Sequence, residues 1–214
     1  MARIEKLMPK VPVVTIGIAL ASLIVFGNPW LSDQALYDRL AIQQGQLWRL
    51  LTAPLAHLST SHLVWNLLLF LLFGAMLETC RRRSMILISV LTALTTGIIY
   101  LLFVPNLTYY GGLSGLLTGL VAYLALIRID QRENSRSLWI VVLVLLLAKI
   151  GVESVINQPL FVATAGTNFH VLPSSHLIGL SVAVVLRSCE GRLRFTRDSL
   201  GASLRRLRMV LSAR

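Results

Sequence analysis

The chain has 214 residues, of which 56% are hydrophobic and 14% charged, with a mean hydropathy of +0.75. Soluble domains carry about 25% charged and 45–50% apolar residues, so the composition excludes soluble, fibrous and disordered classes and points to an integral membrane protein. The formal charge of +11 does not mark a nucleic-acid binder. Eight of the twenty Lys and Arg lie between Arg187 and Arg214, and three more form the run Arg81-Arg82-Arg83, as expected at the cytoplasmic ends of membrane helices.

In chain order, apolar runs occur near residues 11–26, 62–77, 85–104, 113–127, 138–156 and 175–186. At roughly 20 apolar residues per span, they predict an all-α bundle of six transmembrane helices over residues 1–186. A basic tail follows over 187–214. The first run has no small-residue cleavage site after it, so it reads as a span and not as a signal peptide. Pro105, Gly111 and Gly112 break the chain between the third and fourth runs. In the tail, Leu200, Leu204, Leu207 and Leu211 share one stripe, with Arg205, Arg206 and Arg208 away from it. That pattern predicts an amphipathic helix lying on the anionic inner leaflet. Cys80 and Cys189 both flank basic clusters, so reduced thiols are expected.

Loop charges set the orientation. Arg3, Lys6 and Lys10 precede the first run, three Arg separate the second from the third, and Arg128, Arg132 and Arg136 separate the fourth from the fifth. The remaining loops hold only Arg39 and Arg49 as cations. Basic loops thus alternate, which predicts cytoplasmic termini in an inner, cytoplasmic membrane.

Polar residues at membrane depth are costly and mark function by default. His57, His62 and Asn66 lie at the outer start of the second run, Ser114 at the outer start of the fourth and His176 at that of the sixth. Ser and His are the minimum pair for nucleophilic catalysis. Ser114 sits in Gly112-Leu113-Ser114-Gly115, where glycine lets a substrate backbone approach. His62 and Asn66, spaced i, i+4, share one helix face and could donate to an oxyanion. Bland readings stand beside these. Gly111, Gly115 and Gly119 form a small-residue packing ridge, and His62 with Asn66 could be interhelical hydrogen-bond glue. Their common depth favours catalysis.

At these positions the sequence resembles the rhomboid intramembrane serine proteases. Trp48-Arg49 matches the family's Trp-Arg pair, His57, His62 and Asn66 its H-x4-H-x3-N pattern, and Glu78 a Glu that often ends that helix. Gly112-Leu113-Ser114-Gly115 matches GxSG, and His176-Leu177-Ile178-Gly179 matches HxxG. The resemblance implies a Ser114–His176 dyad without an acid, with His62, Asn66 and the Ser114 amide facing the oxyanion. Four residues after the serine, where the family often sets Tyr or His against the imidazole, stands Thr118. That leaves His176 without an evident orienting partner.

Within the family, the stretch 44–52 and the Lys149-x3-Glu153 pair are most similar to the compact rhombosortase branch. This implies substrates bearing a C-terminal sorting signal with a Gly-rich motif, a hydrophobic helix and a basic end. Lys149 and Glu153 follow eleven uninterrupted apolar residues, too few to span, and are expected to pair across one helical turn as a structural ion pair. His57 is expected to fix the first loop, and His170 to lie in an outer loop. No HExxH or CxxC accompanies the histidines, so neither metal nor cofactor is implied. The expected activity is peptide-bond hydrolysis near the outer membrane face, in membrane-anchored substrate proteins. The rivals are a non-proteolytic rhomboid-like protein that binds membrane clients and a small transporter.

Overall fold

The computed structural model describes residues 11–131, 134–156, 158–160 and 172–212, with side chains described as far as residue 192. The N-terminal cations, Arg132, His170 and the leucine stripe of the tail therefore lie outside what is described. The chain is mostly helical: α1 (Val13–Gly27), α2 (Pro29–Ala35), α3 (Arg39–Gln43), α4 (Arg49–Thr52), α5 (Thr60–Phe103), α6 (Ser114–Asp130), α7 (Arg136–Ile156) and α8 (Pro173–Ser212). Two short strands, β1 (Tyr37–Asp38) and β2 (Tyr109–Tyr110), pair antiparallel, Tyr37 opposite Tyr110.

Of the six runs expected to span, α5 and α7 are by themselves long and apolar enough to cross a membrane. The second and third runs are the two arms of α5, broken only at Arg81, whose φ of −148° and ψ of 67° are non-helical. The arms fold back on each other there. A Cβ on Gly74 would lie 3.5 Å from the Met85 methyl, yet eleven residues of straight helix would separate them by roughly 16 Å. The basic run expected to be a loop is thus a one-residue hinge. The first, fourth and sixth runs correspond to α1, α6 and α8. α1 has 15 residues and α6 has 17, and α8 passes the expected boundary at residue 187 without a break.

The core is built around α6, in which every residue from Gly115 to Ala125 is buried. Leu63, Leu67, Phe70 and Leu77 from the first arm of α5 join Met85 and Ile88 from the second in one cluster with Leu116, Leu120 and Leu124. Small residues let α8 approach α6 closely: a Cβ on Gly179 would lie 2.1 Å from the Gly115 carbonyl oxygen, and one on Gly119 2.8 Å from that of Gly179. Main chain therefore meets main chain. Gly111, expected in the same ridge, precedes the helix and packs instead on Ala56.

Buried polar side chains staple the remaining elements. Glu78 accepts from the Val14 and Thr15 amides at 3.0 and 2.7 Å and pairs with Arg82 at 3.0 Å. It thereby satisfies two of the donors that every helix N-terminus leaves open. Arg49 is buried and donates to the Asp33 and Leu36 carbonyls and, at 2.8 Å, to Gln46 Oε1, which fixes the first loop. Arg39 donates to the carbonyls of Tyr100, Leu101 and Val104 and so closes the C-terminus of α5. At the other end of the bundle, Glu190 of α8 accepts from Tyr123 Oη at 2.6 Å and Ser84 Oγ at 3.3 Å, and lies 3.4 Å from Arg81. Cys80 and Cys189 are free and exposed.

Candidate active site

The first loop aims the segment that carries Ser114. The Gly112 amide donates to Ala53 O at 3.1 Å, and β1–β2 holds the same segment three residues earlier. Gly112 adopts φ +119°, a region in which side chains are strained. A Cβ there would lie 2.3 Å from His62 Cε1, so only glycine lets this turn rest against the His62 ring. Ser114 then begins α6, and no side chain caps that N-terminus. The first amides of a helix have no intrahelical acceptor, so these donors remain available at the position where Ser114 stands.

His62 and Asn66 come from the first arm of α5. Ser59 fixes its start by accepting from the His62 amide at 3.2 Å, and both side chains are buried. The α6–α8 backbone contact brings in His176, because Gly115, adjoining Ser114, packs on Ser175, adjoining His176. A cavity of about 510 Å³ is lined by His62, Asn66, Ser114, Thr118, Lys149, Glu153 and His176, with an apolar flank that includes Trp65, Phe73, Val142 and Leu146. The expected residues from three separate runs thus share one cavity.

Its polar atoms are unevenly satisfied. Asn66 Nδ2 and His176 Nε2 are buried and make no hydrogen bond to the described protein. Ser114 and His176 face the same space without a hydrogen bond between them, a looseness common when no substrate is bound. Thr118 does not reach the imidazole, because its hydroxyl donates back to Ser114 O at 2.9 Å.

Glu153 corrects the expectation of a histidine without an acid beside it. Its Oε2 lies 3.2 Å from His176 Nδ1, and both side chains are only 2% exposed. The contact is within ion-pair reach but not in hydrogen-bond alignment. The expected pairing across one turn is present as well, with Lys149 Nζ at 2.6 Å from Glu153 Oε2. Glu153 Oε1 accepts from the Leu160 amide at 3.1 Å. Tyr110 and Ser175 also line the cavity without having been singled out.

His57 has the expected loop role. Its Nδ1 faces Leu55 O at 3.0 Å, so that nitrogen carries the proton and donates. Its ring packs edge-on to His62 at 5.1 Å. Burial pushes its imidazole from the ordinary 6.5 down to about 4.

Comparison with known proteins adds two findings. Residues 44–192 match the family model described as the rhomboid domain. A rhomboid-type serine protease 2 from Eremothecium gossypii is 34% identical over 119 residues, covering 52% of this chain. The match spans 45% of that relative's own length.

Proposed function

The chain belongs to the rhomboid family, and on that premise we propose that this integral membrane protein is an intramembrane serine protease using Ser114 and His176. The observation that carries the reading is the convergence, in one cavity, of a hydroxyl at an uncapped helix start, an imidazole with an open Nε2 and an amide with an open Nδ2.

Ser114 Oγ attacks the carbonyl carbon of the scissile peptide as its proton passes to His176 Nε2, and the carbonyl electron pair moves onto oxygen. Asn66 Nδ2, the Ser114 amide and a ring N–H of His62 donate to that oxyanion. Collapse breaks the C–N bond, and the Nε2 proton leaves with the amine. Water then cleaves the acyl ester by the same route, returning the hydroxyl to Ser114. Gly112 serves by letting this turn lie against His62.

The six apolar segments, counting the arms of α5 separately, are the six spans of this reading, with both termini cytoplasmic in a bacterial inner membrane and the site toward the outer face. At 1.5 Å per residue, α6 is roughly 25 Å long against a hydrocarbon core of about 30 Å, which supports a site sunk below the surface. Beyond residue 187, α8 continues without a break, and its arginines form a basic end that the anionic inner leaflet attracts. The resemblance of 44–52 and Lys149-x3-Glu153 to rhombosortases supports substrates anchored by a C-terminal hydrophobic helix with a glycine-rich entry. Glycine weakens that helix and exposes extended backbone for attack.

The rival is a client-binding protein without turnover. A fluorophosphonate probe separates the two. Labelling that disappears in Ser114→Ala supports the protease, and an unlabelled, folded protein overturns it.

A further inference from the structure

Resting on the protease reading, we propose that Glu153 is a positioning residue for His176, making the charge-transfer line one of three residues from three helices: Ser114, His176 and Glu153. An imidazole that must accept a serine proton at Nε2 has to keep its own proton on Nδ1, and an acceptor placed against Nδ1 selects that tautomer. Glu153 Oε2 is the anion placed there, 3.2 Å away, within ion-pair reach though not aligned for a hydrogen bond in this state. Its carboxylate is held from two other directions, by Lys149 Nζ at 2.6 Å and by the Leu160 amide at 3.1 Å. The acceptor is thus fixed before the imidazole needs it.

The burial pattern of α7 supports the same assignment. Only Trp139, Ile150 and Glu153 of this 21-residue helix are buried. A Lys–Glu pair serving its own helix could sit at the rim, where burying charge carries no cost. Here the carboxylate is turned inward onto α8 while Lys149 keeps partial exposure. During attack the imidazole becomes cationic, and the carboxylate opposite Nδ1 stabilises that charge without taking the proton. Lys149 supplies the compensating cation that lets a carboxylate stand at this depth. Thr118 cannot substitute, because its hydroxyl is spent on Ser114 O.

The test uses the full chain in detergent, with two readouts: the rate at which a fluorophosphonate labels Ser114, resolved into binding and maximal rate, and the tautomer of ¹⁵N-labelled His176 by NMR. In Glu153→Gln the maximal labelling rate should fall about 10²–10⁴-fold with probe binding changed less than about two-fold, and the proton on His176 should lose its preference for Nδ1. Glu153→Asp keeps the charge but withdraws it by one methylene, and should lose about ten-fold less than Glu153→Gln. Wild-type labelling rate and tautomer in Glu153→Gln would overturn the proposal. If that variant does not fold, the same result in Glu153→Ala, which also removes the carboxylate, overturns it. Wild-type protein that is never labelled, yet holds its proton on Nδ1 and loses it in Glu153→Gln, would sink the protease reading and leave the positioning role standing. An unlabelled protein whose tautomer ignores Glu153 would sink both.

Discussion

Ser114→Ala removes one oxygen from the first turn of α6 and leaves every backbone contact of the neighbouring Gly115 intact. Turnover should vanish while thermal melting stays within a degree or so of wild type. His176→Ala should be nearly as severe. Asn66→Ala should cost about 10²–10³-fold in kcat, the scale of one lost oxyanion donor, and an unchanged rate would remove that assignment. His57 gives a different readout. The folded imidazole titrates at about 4 and the unfolded one at 6.5, so between these values only the unfolded chain takes up the proton. Its contribution to stability is therefore complete above pH 6.5 and is lost as the pH falls toward 4. Melting midpoints should drop across that window, and His57→Gln should flatten the slope by at most about 1.4 kcal/mol per pH unit. The convergence of Ser114, His176, His62 and Asn66 on one cavity was legible in the sequence, because each is a polar side chain expected at the same membrane depth. The role of Glu153 was not, because its partner lies on another helix and its neighbour Lys149 already explained it.

At the scale of elements, the bundle depends on places where a side chain is absent and on places where one reaches far. Gly179→Leu would force a side chain into the Gly115 carbonyl. Overpacking of this kind costs about 1–3 kcal/mol, so the melt should fall and labelling of Ser114 should slow as α8 moves off α6. Glu78→Ala would leave the Val14 and Thr15 amides without their acceptor, at about 1–3 kcal/mol for the stranded donors. Properly folded Glu78→Ala should label at the wild-type rate, because α1 contributes nothing to the cavity lining. Hydropathy located α1, α6, α7 and the arms of α5 to within a few residues, and the start but not the end of α8. It could not foresee that Arg81 alone would make the turn, nor the short helices α2, α3 and α4. Those are held by Arg49 and Arg39 reaching carbonyls distant in sequence, and no local period records such contacts.

For the whole molecule, orientation is the property that most constrains the proposed activity. Cys80 and Cys189 are exposed thiols at the Arg81 end of the bundle, opposite to Ser114. If both termini are cytoplasmic, as proposed, a membrane-impermeant maleimide should miss them in intact cells and label them in inverted vesicles. Labelling from outside would reverse the proposed topology. The meeting of α6 and α8 also bears on heat. Ser114 and His176 are each one residue from a contact of main chain on main chain, with no flexible side chain interposed. Warming that loosens side chains elsewhere has little slack to act on there. The labelling rate should therefore climb smoothly with temperature and then collapse in a single step at the melt, with no gradual fading before it.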